Sequence, residues 1–122
     1  MKISPVITNQ RLSPYRAGSL DKIQVKTQIF VDQKLKPINQ SNIPINLYMN
    51  YSGDWGIVAS GITNRFGYCN LNHSCEDIPS IDFCLAKFET FINGSGYISN
   101  ISRINFIGEG ALIADFDFEI LW

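Results

Sequence analysis

Ile43, Ile45, Leu47 and Met49 alternate with Pro44, Asn46, Tyr48 and Asn50. A period of two marks a strand with one buried face. Tyr51-Ser-Gly-Asp then supplies turn chemistry, and residues 55–62 read as a second strand. Residues 63–67 close it with another turn, where Gly67 is free to take positive φ. The large apolar residues of this hairpin need a facing sheet, and other segments can provide it. Ile23, Val25, Thr27, Ile29 and Val31 alternate with Gln24, Lys26 and Gln28, a strand with a wet outer face. Residues 32–42 are polar, contain Pro37 and read as a connection. Residues 68–74 predict a short strand with Cys69, Leu71 and His73 on one face and Tyr68, Asn70 and Asn72 on the other.

Residues 81–92, IDFCLAKFETFI, are where a helix competes with a strand. Aromatic content and strand-rich surroundings favour the strand. Asn93-Gly-Ser-Gly96 reads as a flexible turn or loop, and residues 97–107 as a loop leading into a strand. After a turn or bulge at residues 108–110, Leu112, Ala114, Phe116, Phe118 and Ile120 face one way. Ala111, Ile113, Asp115, Asp117 and Glu119 face the other. Leu47, Leu85, Phe88 and Phe116 are the expected core. Seven or eight short strands between turns predict an all-β chain, with a β-sandwich as the default architecture.

Residues 1–19 carry Pro5, Pro14 and Gly18 and have no sustained period. They read as an extended N-terminal arm before a single domain over residues 20–122. Ile3, Val6, Ile7, Leu12 and Tyr15 are too many apolar groups for a solvated tail. Packing on its own domain is the commoner fate of such a segment. The expectation adopted is a clasp that adds a strand to a neighbour's sheet edge.

The chain has 122 residues, enough for one core without disulfides or metals. Its net charge is -1 and only 17% of its residues are charged. No run of Lys and Arg forms a nucleic-acid footprint. No apolar run approaches the ~18 residues of a membrane span. The first residues lack the apolar stretch of a secretory signal, so synthesis in a cytoplasm is expected.

Cys69, His73, Cys75 and Cys84 are a conceivable zinc set. An extended strand holds Cys69 and Cys75 about 20 Å apart, however, so no metal or other cofactor is expected. A Cys75–Cys84 disulfide across the loop is easier to build, but small buried hydrophobes are the plainer reading of all three thiols. Asp115, Asp117 and Glu119 could bind a cation or act as an acid pair. A solvent face that deters edge aggregation accounts for them more simply. His73 is the sole histidine, and no Gly-x-Ser-x-Gly elbow accompanies it, so no catalytic residue is expected. Asn-x-Ser sequons at Asn50, Asn72, Asn93 and Asn100 are expected to be chance. Trp55 reads as core, by analogy with the buried Trp of immunoglobulin domains. Tyr48 lies on a polar face and is the better surface contact.

Pro44-Ile-Asn-Leu-Tyr-Met-Asn, Gly61-Ile-Thr-Asn-Arg-Phe-Gly67, Leu85-Ala-Lys-Phe88 and Asn93-Gly-Ser-Gly-Tyr97 together resemble the turns and packing positions of bacterial immunoglobulin-like repeats, over roughly residues 43–97. The resemblance implies an immunoglobulin-like sandwich of about seven to eight antiparallel strands and a structural or adhesive role. It carries over no catalytic residue. The function expected is that of a non-enzymatic structural protein, a capsid decoration or accessory protein of a bacteriophage particle. Its partners would be capsid proteins or copies of itself, met through Ile3, Val6, Ile7, Leu12, Tyr15 and Tyr48. The alternative is an adhesive or glycan-binding module of a cell-surface protein, working outside the cell.

Overall fold

The computed structural model describes residues 3–7, 16–20, 22–31, 36–37, 41–51, 53–106 and 118–120. They form strands and turns, with no helix among them. The strands are β1 (Ile3–Ile7), β2 (Lys22–Val31), β3 (Lys36–Pro37), β4 (Pro44–Asn50), β5 (Gly56–Ile62), β6 (Tyr68–Ser74), β7 (Phe83–Ile92), β8 (Ser95–Ser99), β9 (Ser102–Asn105) and β10 (Phe118–Ile120). All pairings are antiparallel, as the alternating sequence predicts. β5 pairs with β4, β4 with β7, β7 with β8, β8 with β10, β10 with β1, and β1 with β2; β6 takes the far side of β2.

Alternation sorts the side chains. Ile45, Leu47 and Met49 of β4 are buried, and Cys84, Ala86, Phe88 and Ile92 of β7 pack with them. Leu71, Ile23 and Ile104 complete the centre. Phe88 is the largest of the fully buried side chains among the described residues. Leu85 is not core: it is 38% exposed, because strand parity sends it opposite to Phe88. Phe116, the other expected core ring, lies outside the described residues.

Two turns use local chemistry closely. Asn93 and Gly94 have φ of 51° and 80°, and Ile92 faces Ser95 directly across the pair. This is a two-residue hairpin with positive φ at both centres, which Asn-Gly favours. It is shorter than the turn or loop expected over residues 93–96. At the β5–β6 corner Gly67 has φ of 80°. Asn64 Oδ1 accepts the Phe66 and Tyr68 amides at 2.9 and 3.0 Å, so one side chain ties the corner.

Two register slips bend the sheet. β8 and β9 run successively along one side of β7, and one extra residue stands between Ile98 opposite Glu89 and Ser102 opposite Ala86. At this bulge the Phe88 amide donates to Ser99 Oγ at 2.7 Å, so a hydroxyl replaces the missing ladder partner. The second slip lies between Leu47 and Tyr48, opposite Ala59 and Ile57. Val58 is the extra residue there, and both Val58 and Ala59 pack toward the core.

The two ends of the pairing path meet at Gly61. A methyl group placed on Gly61 of β5 would lie 2.7 Å from Cys69 Sγ and 3.3 Å from the Asn70 carbonyl oxygen of β6. The arm also belongs partly to this body. Ile3–Ile7 is β1, paired with Thr27–Val31 of its own chain. Gly18 donates its amide to the Cys75 carbonyl at 2.8 Å, and Ala17 packs on the core.

Candidate interaction face

The outward face of β5, β4, β7 and β9 is built rung by rung from cross-strand register. The first rung sets Ser60, Asn46, Glu89 and Ile98 side by side, with Glu119 of β10 at the register position beyond. The next aligns Ile57, Tyr48 and Lys87. Below it Asn50, Leu85 and Arg103 stand in line, and then Phe83 and Asn105. Each rung is outward because its neighbours two residues away share its side of the pleat.

The first rung satisfies itself. Ser60 Oγ donates to Asn46 Oδ1 at 2.8 Å, and Asn46 Nδ2 donates to Glu89 Oε1 at 3.0 Å. The Tyr48 hydroxyl donates to the same carboxylate oxygen at 3.1 Å. Burial, then the hydrogen bond to Glu89 and its charge, push the Tyr48 phenol above its ordinary value, so it remains a donor. The lower rungs are different. Lys87 Nζ sits 4.3 Å from the Trp55 ring centroid and 5.6 Å from that of Tyr48. The Arg103 guanidinium lies 5.4 Å from the Phe83 centroid. Cations over rings hold both long side chains in place. Ile57, Phe83 and Leu85 are exposed beside them.

Tyr48 lies on the polar side of its strand, half-buried, with its hydroxyl on Glu89. Trp55 does not fill the core; it is half-buried under Lys87, because it precedes β5 and lies beyond the buried rungs. Ile3, Val6 and Ile7 fall in β1, whose main chain pairs with β2 and β10 of its own chain, so these bonds serve the domain itself. Leu12 and Tyr15 lie outside the described residues, as do Asp115 and Asp117. What sequence reasoning missed is Lys87, Leu85, Phe83 and Arg103 as neighbours of Tyr48. The polar parity of β4 and β7 was a signal, but only the pairing of the two strands joins them.

The cysteines are thiols, and all three are buried. Burial pushes the Cys69 thiol up to about 11 and Cys84 up to about 12, the latter helped by neighbouring Cys75. Neutral thiols of this kind are poor nucleophiles and poor metal ligands. Among the described residues no three His, Cys, Asp or Glu are grouped to hold a metal ion. No described helix is long and apolar enough to cross a membrane.

His73, near the end of β6, links that strand to β5. Its ring hydrogen-bonds the Val58 carbonyl, the residue the bulge turns aside, while Nε2 is buried without a partner. Burial lowers its pKa below 6.5, against the opposing influence of Asp77 and the Val58 bond. The unfolded chain then takes up a proton that the folded chain resists. Stability from neutral His73 is present above about pH 6.5 and is lost as pH falls below it. The melting temperature should fall between pH 7 and pH 5, a window in which most carboxylates stay ionised. His73→Gln should flatten that slope; an unchanged slope would remove His73 from the account.

Comparison with protein-family models, curated proteins and solved structures finds no match to this chain.

Proposed function

We propose that this chain is an immunoglobulin-like β-sandwich acting as a non-enzymatic interaction module, and that its contact surface is the outward face of β5, β4, β7 and β9. The strand pairings support the fold reading. β2 with β6, β4 with β7, and β7 with β8 reproduce the B–E, C–F and F–G neighbours of an immunoglobulin domain. β1 then stands as strand A and β5 as the extra strand beside C. β10 departs from that plan by lying between the last strand of one sheet and the first of the other.

The observation that carries the functional reading is the exposure of Ile57, Phe83 and Leu85 around ring-held Lys87 and Arg103. Interface centres are enriched in aromatic residues and Arg. A sugar platform fits less well, since Lys87 already covers the Trp55 ring. The setting we propose is the surface of a bacteriophage particle, with capsid protein as partner. Leu85→Asp should leave the melting temperature within ~2 °C, as expected of an exposed substitution. It should abolish co-sedimentation with capsids made from the genes beside its own. Undiminished co-sedimentation would sink the assignment of this face.

A further inference from the structure

Resting on the proposed contact face, we infer that its partner is a protein segment carrying carboxylates between apolar side chains. The face is divided by its chemistry. Its upper rung holds Glu89, whose Oε1 already accepts from Asn46 and Tyr48. Its lower rungs offer Lys87 and Arg103, spaced across Leu85 and flanked by Ile57 and Phe83. Among the described residues the interactions that hold those two cations are with rings, which restrain the side chains without neutralising them. Asp54, in the β4–β5 turn, and Asp82, just before β7, are exposed at the lower end of the face, outside the rungs.

A partner with apolar groups alone would bury both charges without compensation, which is costly. A basic partner would add repulsion. A second copy using the same face about a two-fold axis through the lower rungs would bring the Lys87 and Arg103 pair against itself. Carboxylates interleaved with Leu or Phe answer both needs: they pair with the cations and cover the apolar residues. Arg103 can meet a carboxylate with two parallel N–H donors while its plane stays on Phe83.

Three synthetic peptides of equal length provide the test, with Leu and Phe interleaved by Glu, by Lys or by Ser. Each is titrated into the isotope-labelled full chain and followed by amide chemical shifts. The Glu peptide should bind about tenfold more tightly than the Ser peptide, move the amides of Ile57, Leu85, Lys87 and Arg103, and weaken with added salt. Arg103→Glu, an exposed substitution, should remove that preference. Equal binding of the Ser or Lys peptide at this face would overturn the partner chemistry while leaving the contact face intact. Glu-peptide shifts confined to other strands would also overturn it. So would a dimer in sedimentation that Arg103→Glu dissociates, which would assign the face to a second copy. Failure of the contact face itself is read separately, from Leu85→Asp on capsids.

Discussion

Phe88→Ala is expected to destabilise the domain by about 3–5 kcal/mol, while Leu85→Ala, three residues away on the same strand, should cost less than ~1 kcal/mol. The contrast rests on parity. Phe88 is 0% exposed and is the largest of the fully buried side chains among the described residues; Leu85 faces outward. The Phe88 ring belongs to the buried apolar cluster, so its removal leaves a cavity that a rigid sheet closes poorly. Its amide is also tied to Ser99 at the bulge, which limits backbone relaxation toward the hole. Urea unfolding of both variants is the measurement. Equal losses would mean that the face assignment of β7 is wrong.

A second large effect is expected at Gly61. Its backbone does not sit at positive φ, so a side chain there meets no backbone strain and space alone decides the outcome. A glycine of that kind is normally stabilised by Ala through the unfolded chain, by about 0.4–1 kcal/mol. Here the added methyl would press on Cys69 Sγ at 2.7 Å and on the Asn70 carbonyl at 3.3 Å. Overpacking of this sort costs about 1–3 kcal/mol, so the sign should reverse. Cys69→Ala removes the nearest atom. The double variant should therefore lose less than the two single losses combined, a coupling that a double-mutant cycle on thermal or urea stability reads directly. Strict additivity would show that β5 and β6 are not pressed together at this point.

Much of this fold was written in period-two alternation. β6 occupies the residues the pattern assigns it, and the β4 core positions Ile45, Leu47 and Met49 alternate without error. Parity was harder in β7. Leu85 and Phe88 differ by three, so no continuous strand buries both, and their joint place in the expected core carried a trace of helical spacing. The bulges were the least legible. Each is one inserted residue, and it shows only as a slip of phase: adjacent Val58 and Ala59 both turn inward, and burial shifts from Tyr97 and Ser99 to Ile104 and Phe106. Asn93-Gly94 was legible in principle, since Asn-Gly is a strong hairpin signal, but the following Ser-Gly suggested a longer loop. The candidate face was legible only in part. Tyr48 could be placed on a polar side from its own strand. Its meeting with Lys87, and that of Leu85 with Arg103, depends on pairings between distant strands that no local pattern encodes.

The position of β10 bears on the way the chain is made. Ile3 pairs with Phe118, and Tyr97 with Ile120, so the strand that joins β1 to β8 is translated after both of them. A ribosome delivers residues in order, at about 5–20 per second. Through most of synthesis β1 therefore presents a row of main-chain donors and acceptors to solvent, and β8 adds a second such row once it emerges. Such rows are templates for pairing with another nascent chain. Non-local closure of this kind is also slow, since loop entropy is spent before the contact forms. The interval between the emergence of β8 and the docking of β10 is thus the period in which chains on one messenger are most exposed to exchanging strands.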